Sequence, residues 1–140
     1  MVGIDEGRLQ QRIDRLRGDI IDDLPGRLAV IDREVTALQQ LAAANQHSAA
    51  LKAAETIAYL SHKLTGSLSI VGWEAAIAAG GELACRCRTL VNRPDSLCDS
   101  LQISRVTDQF ATLRLAIEAL AGAAGQASGP DPGLPTGDSE

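Results

Sequence analysis

Large apolar residues recur along most of this chain at alternating steps of three and four positions, which is the spacing of one face of an α-helix. The first such segment covers about residues 6–23. Its apolar stripe consists of Leu9, Ile13, Leu16, Ile20 and Leu24. Pro25 follows, and because proline is tolerated in the first turn of a helix, we predict that a second helix begins there. The pattern therefore predicts two separate helices before residue 45.

Three more helices are predicted, over about 49–71, 73–91 and 97–121. The apolar stripe of the second helix is Leu28, Ile31, Val35, Leu38 and Ala42, and that of the third helix is Ala54, Ile57, Ser61, Leu64, Leu68 and Val71. The stripe of the fourth helix is Ala76, Ala79, Leu83, Cys87 and Leu90. The stripe of the fifth helix is Ile103, Val106, Phe110, Leu113, Ile117 and Leu120. A polar stretch at 45–48 predicts a turn in which Ser48 caps the third helix. Gly72 is expected to end that helix, because glycine readily takes the left-handed conformation.

Amphipathic helices joined by short turns predict an all-α fold. We expect an antiparallel, up-down four-helix bundle over residues 1–121, with the first helix as an additional N-terminal cap across one end. From Gly122 onward the composition changes to glycine, proline, alanine, serine and aspartate. A segment of this kind buries too little apolar surface to offset its ordering entropy, so residues 122–140 are predicted to form a disordered acidic tail.

Composition narrows the class of protein. Of the 140 residues 45% are hydrophobic but only 2% are aromatic, which favours close packing of aliphatic helices. The net charge of -5 argues against a nucleic-acid-binding surface, which needs a basic stripe. No apolar run approaches the roughly 18 residues of a membrane span. The three cysteines are an odd number and no secretory signal is recognised, so we expect reduced thiols in a cytoplasmic protein. We also expect a monomer.

One histidine stands out on the third predicted helix. His62 lies two residues from Leu64, about 200° around the helix, and therefore points away from the buried stripe. Tyr59, Gly66 and Ser69 lie on the same face as His62. These positions make His62 a candidate for chemistry at the protein surface, with Tyr59 and Ser69 as candidates for contact with a partner.

The residues that follow His62 suit a phosphoryl group. Gly66 removes the side chain that would crowd the imidazole from the next turn, so a partner's active site has close access to the ring. Lys63 and Ser67 add a positive charge and a hydroxyl, both of which bind phosphate oxygens.

This stretch resembles the signature of histidine-phosphotransfer (HPt) domains. That signature is a helical histidine followed by an aliphatic residue, a glycine, a serine and a second glycine at fixed spacing. Here the matching positions are His62, Leu64, Gly66, Ser67 and Gly72. The resemblance covers the bundle and excludes the tail. The family often places lysine three residues after the histidine, where this chain has Thr65; its lysine is Lys63, adjacent to the histidine.

The resemblance implies a role as a phosphorelay intermediate in two-component signalling. The partners would be receiver domains of response regulators or a hybrid histidine kinase. A receiver presents an aspartyl phosphate with Mg²⁺ of its own, and neutral His62 attacks phosphorus and later passes the group to another receiver. The chain itself would then need no metal or cofactor, and it would have no ATP-dependent kinase activity.

Other functions fit parts of the pattern. A helical scaffold could bind and regulate a receiver or kinase without being phosphorylated, and Thr65 favours that alternative. In the dimerisation modules of histidine kinases an acidic residue usually follows the histidine, so Lys63 and the extra helices argue against that class. A metal site formed by His62, Cys85 and Cys87 is disfavoured, because Cys85 and Cys87 are two residues apart on one helix and their side chains therefore point in different directions. Glu82 could orient the imidazole or form an exposed ion pair.

Overall fold

The structure is a computed structural model that describes the backbone of residues 2–128 and the side chains of residues 6–123. Its elements are α1 (Val2–Ala43), α2 (His47–Val71), α3 (Glu74–Asn92), a 3-10 helix (Pro94–Cys98) and α4 (Ser100–Ser128). Within this part of the chain there are four α-helices and no strand, so the predicted all-helical bundle is confirmed. No described helix contains an apolar stretch long enough to cross a membrane.

The predicted helix break at Pro25 is wrong, because α1 runs through it without interruption. Proline removes one backbone hydrogen bond, here to the carbonyl of Ile21. Pro25 is exposed, so water can reach the affected turn. Leu24 and Leu28, on either side of the proline, are both buried in the core. Their packing holds the helix in line, and α1 takes the place of the separate N-terminal capping helix that the sequence suggested.

The first part of α1 lies outside the core. Between residues 6 and 17 only Ile13 is half-buried, and the side chains of Leu9 and Leu16 are 58% and 47% exposed. The Nε atom of Arg17 donates a hydrogen bond of 3.2 Å to the carbonyl of Ile70, near the end of α2. The stripe predicted for residues 9–20 is therefore mostly surface, and the core begins at Leu24.

The core stripes predicted for the later helices are confirmed with few exceptions. Val71 and Leu120 are half-buried, whereas the rest of the stripes of α2, α3 and α4 are buried. The core cluster includes, from α1, Leu24, Leu28, Ile31, Val35 and Leu38. Alanine and leucine supply most of this interior, as the low aromatic content indicated.

The helices α2 and α3 share the most extensive contact in the bundle, and Gly80 lies at a close approach between them. A Cβ atom at Gly80 would lie 2.6 Å from Cγ2 of Thr65 and 3.7 Å from Cδ1 of Leu113. Gly81, the next residue, is exposed, and a Cβ atom there would meet nothing within 4 Å. Of these paired glycines, only Gly80 is required by packing.

The predicted end of α2 is confirmed, but its predicted start is not. Gly72 ends α2 in the left-handed conformation, with a φ angle of 82°, as predicted. At the other end α2 begins at His47, and Gln46 precedes it without a side-chain cap. The predicted capping role of Ser48 is therefore wrong, because Ser48 already lies inside the helix. The reversal of the chain occurs at Asn45, whose φ angle is 59°.

α4 continues through Ser128 and so passes the predicted boundary at residue 121. The sequence of this extension is rich in alanine, which has the highest helix propensity of all residues. The helical part of the chain is therefore longer than expected. Residues 129–140 of the predicted disordered tail lie outside the described residues.

We predict that Gly80→Ala destabilises the protein by about 1–3 kcal/mol, because the added methyl overlaps Thr65 at a packed helix contact. Gly81→Ala is the matched control and should stabilise by ~0.5–1 kcal/mol, the usual gain for replacing an exposed helical glycine. Adding Thr65→Ser to Gly80→Ala removes the overlapping Cγ2 atom and should restore most of the loss. Urea unfolding followed by circular dichroism measures all three. Equal stability of Gly80→Ala and Gly81→Ala would contradict the proposed contact.

Candidate functional site

His62 lies near the middle of α2 with its side chain exposed. Its neighbours Ser61 and Leu64 are both fully buried, so the helix turns the imidazole away from the core. Tyr59, one turn earlier, is 61% exposed on the same side of the bundle. The outward position that the hydrophobic pattern predicted for His62 is what the structure shows.

A shallow groove of about 330 Å³ runs beside His62 between α2 and α3. From α2 it is lined by Glu55, Ala58, Tyr59 and His62, and from α3 by Arg88, Val91 and Asn92. Arg88 and Asn92 were not among the residues singled out from the sequence. Their spacing of four places them on one face of α3, but nothing in the spacing indicates that this face borders His62.

Gly66 is exposed one turn after His62. A Cβ atom built at this position would meet no heavy atom within 4 Å. Its backbone lies within the continuous helix α2, so no unusual φ angle requires glycine here. Neither packing nor backbone geometry explains this glycine, and its absent side chain leaves the helix surface beside the imidazole open.

Lys63 is exposed and extends over the neighbouring tyrosine. Its Nζ atom lies 5.3 Å from the centroid of the Tyr59 ring, within the range of a cation–π contact. The ammonium group is therefore held on the surface next to His62 by an aromatic ring that also lines the groove.

The two serines near His62 make hydrogen bonds elsewhere. Ser67 is half-buried, and its Oγ accepts a hydrogen bond of 2.8 Å from Nη1 of Arg27 on α1. Ser69 is exposed, and its Oγ donates to the backbone carbonyl of Thr65 at 2.9 Å. The hydroxyl of Ser67 thus belongs to the contact between α1 and α2, and Arg27 is a second arginine that sequence reasoning did not connect with this region.

Thr65, at the position where the HPt signature often has lysine, faces α3. Its Oγ1 donates a hydrogen bond of 2.7 Å to the carbonyl of His62, and its Cγ2 lies at the close approach to Gly80. The side chain is half-buried. Thr65 is therefore a packing residue between two helices and brings no charge to the imidazole.

The fold explains the residue type at some positions of the HPt signature but not at others. Leu64 is fully buried in the core, and Gly72 ends α2 in a left-handed conformation. Ser67 contacts α1 through Arg27. The fold accounts for these three residues without reference to a function. His62 and Gly66 are the two signature positions whose identities the fold does not require.

Glu82 does not share the groove beside His62. It lines another surface depression together with Arg86 and Thr89 of α3 and Gln109 of α4. In this region Arg86 donates hydrogen bonds to Gln109 and Gln102. The idea that Glu82 orients the imidazole therefore finds no support in its position.

The cysteines occupy different environments. Cys85 and Cys98 are exposed, and Sγ of Cys98 lies 3.5 Å from Nε2 of His47. Cys87 is buried, and burial raises the pKa of its thiol from 9.0 to about 12, partly opposed by the nearby positive charge of Arg86. Among the residues whose side chains are described, no three histidine, cysteine or carboxylate groups lie close enough together to hold a metal ion.

Comparison with known protein families, with curated proteins and with solved structures gives no match to this chain. The interpretation of the site therefore depends on the residue pattern and the geometry around His62.

We predict that Cys85 and Cys98 react with a thiol reagent in the folded protein, whereas Cys87 reacts only after unfolding.

Since the thiol of Cys87 stays protonated up to a pKa of about 12 when folded but ionises near 9.0 when unfolded, the free energy of unfolding should fall as the pH rises through that interval. Below pH 9 the thiol of Cys87 is protonated in both the folded and the unfolded state, so this loss of stability is absent. Urea unfolding at a series of pH values measures it, and Cys87→Ala is the control. An identical pH dependence in that variant would contradict the assignment.

Proposed function

We propose that this chain is a phosphorelay intermediate that accepts a phosphoryl group on His62 from the aspartyl phosphate of a receiver domain and passes it to another response regulator. The observation that carries the proposal is an exposed imidazole, one helical turn before an exposed glycine that neither packing nor backbone geometry requires. The spacing of the HPt signature supports it, as does the all-helical bundle on which the histidine lies.

The transfer needs little from this chain beyond access. The Nε2 lone pair of His62 attacks phosphorus in line, the bond from phosphorus to the aspartyl oxygen breaks, and a phosphohistidine forms. The reverse step on a second receiver regenerates the imidazole. The receiver supplies Mg²⁺ and most of the electrostatic stabilisation, so this protein needs no ATP site or metal of its own.

The proposal includes the finer architecture and the cellular setting. We infer an up-down bundle, supported by the short turns between helices and by the 3.1 Å ion pair that joins Asp32 of α1 to Arg114 of α4. We propose receiver domains or a hybrid histidine kinase in the cytoplasm as the partners, docking over the surface that holds Tyr59, His62 and Gly66.

A second candidate function is a scaffold that binds and regulates a receiver or kinase without being phosphorylated. Thr65 favours it, because this residue packs against α3 at the position where the signature often has lysine. The two candidates differ in whether His62 forms a covalent bond to phosphorus.

We predict that a phosphorylated receiver with Mg²⁺ transfers an acid-labile label to this protein and that His62→Gln abolishes the labelling. His47→Gln is the matched control, because His47 is the other of the two histidines in the chain and lies at the start of α2. It should leave labelling unchanged. Gel autoradiography before and after acid treatment measures both.

A label that persists in His62→Gln would disprove the assignment of the phosphoacceptor. Receiver binding that is unchanged by His62→Gln, together with no labelling by any receiver of the host, would favour the scaffold.

We predict that Gly66→Ala stabilises the protein by ~0.5–1 kcal/mol but slows phosphotransfer. The methyl group has open space in the isolated protein, yet it occupies the surface that the receiver must approach. The expected loss in transfer rate is about tenfold or more, as small displacements of reacting groups have large effects. Gly81→Ala, also exposed and helical, should stabilise similarly and leave the rate unchanged. Transfer by Gly66→Ala at the normal rate would show that Gly66 has no role in access.

A further inference from the structure

We propose that Arg88 of α3 is the cation that binds the phosphoryl group carried by His62. This inference rests on the proposed function and identifies a residue outside the HPt-like stretch. Its basis is the groove between α2 and α3, which Arg88 and His62 line together.

Arg88 differs from Lys63 and Arg27, the cationic side chains described above near His62, because each of those two has a side-chain contact of its own. Lys63 lies over the ring of Tyr59. Arg27 of α1 donates to Ser67 at 2.8 Å. Arg88 is exposed and forms no ion pair or side-chain hydrogen bond with any residue whose side chain the structure describes. Its guanidinium is therefore available to an anion in the groove.

The chemistry of arginine suits this position. A guanidinium presents its N–H donors in a planar fork that can bind two phosphate oxygens at once. Asn92, one turn later on the same face of α3, lines the groove as well and adds amide donors. Ala58 and Val91 complete part of the wall with apolar surface.

One carboxylate also faces this groove. Glu55 lies on α2 two turns before His62. In the unphosphorylated protein its negative charge attracts the guanidinium of Arg88 along the groove. A phosphoryl group on His62 carries a larger negative charge than one carboxylate at neutral pH, so it competes effectively for the same cation.

The proposal also accounts for Thr65. At the signature position of the usual lysine, Thr65 packs at the close approach to Gly80. The same close approach brings α3 beside α2, and Arg88 lies two turns after Gly80 on α3. Arg88 on the neighbouring helix thus offers a positive charge that the position of Thr65 does not provide.

The first test phosphorylates His62 chemically, without a receiver. When the full-length chain is treated with phosphoramidate, Nε2 of His62 attacks phosphorus, the phosphorus–nitrogen bond of the reagent breaks and ammonia leaves. Phosphorus NMR then follows the pH titration of the phosphohistidine. Because a guanidinium favours the doubly charged form, Arg88→Ala should move the titration midpoint to higher pH, and Arg88→Lys should give an intermediate value.

The same variants are tested for transfer from a phosphorylated receiver. We expect Arg88→Ala to slow transfer by about tenfold, the size of effect expected when one charge-assisted contact is lost. Arg105→Ala is the charge-matched control, because Arg105 is exposed on α4 and does not line the groove. It should change neither the titration nor the rate. Circular dichroism should show that all variants melt like the wild type.

The outcomes separate the two proposals. If the wild type is phosphorylated by a receiver and Arg88→Ala matches it in both measurements, the inference about Arg88 is overturned and the proposed function stands. If Lys63→Ala moves the midpoint and Arg88→Ala does not, Lys63 is the cation and the inference is again overturned. If phosphoramidate loads His62 but no receiver does, the proposed function fails, and the titration still decides on Arg88. Failure to load His62 by either route overturns both.

Discussion

The contact between Gly80 of α3 and Thr65 of α2 sets the geometry on which the candidate site depends. With no Cβ atom at Gly80, the backbone of α3 approaches so closely that even a methyl group there would lie 2.6 Å from Thr65. Ala76, Ala79 and Ala84 add further small residues to the buried surface of α3. A larger residue at position 80 would move the two helices apart and shift Arg88 relative to His62. Packing at Gly80 and Thr65 therefore contributes to the relative position of α2 and α3, although neither residue lines the groove.

The helices α2 and α3 follow from local information because each carries a continuous buried stripe. The pattern predicts α2 over 49–71 and α3 over 73–91, and the structure has His47–Val71 and Glu74–Asn92. The sequence-based boundaries are wrong where a local rule is outweighed by core packing or by the helix propensity of the surrounding residues. At Pro25 the loss of one hydrogen bond is outweighed by burial of Leu24 and Leu28 on both sides. At the end of α4 alanine-rich sequence extends the helix past the glycine at 122.

The candidate site is predictable only in part, and the reason is the rotation of one helix against another. His62 and Gly66 lie off the buried stripe of α2, so their exposure follows from spacing alone. On α3 the buried Cys87 lies between Arg86 and Arg88 in sequence. Periodicity indicates that these two arginines leave the helix in different directions. It does not indicate that Arg86 reaches Gln109 of α4 while Arg88 lines a groove that His62 of α2 also lines.

The glycines of the bundle help to separate a phosphotransfer protein from a passive scaffold. Gly72 is required by a left-handed turn and Gly80 by a close helix contact. Gly66 is required by neither, and an exposed glycine within a helix costs about 1 kcal/mol relative to alanine. Other helical glycines of this chain also have open space around a Cβ atom, namely Gly7, Gly18, Gly26, Gly81 and Gly122. Gly66 differs from them because it lies one turn after an exposed histidine. A scaffold needs an open helix surface beside the imidazole only when its partner binds over that surface. A phosphoacceptor needs it in every case, because the receiver's aspartyl phosphate must come within bonding distance of the ring.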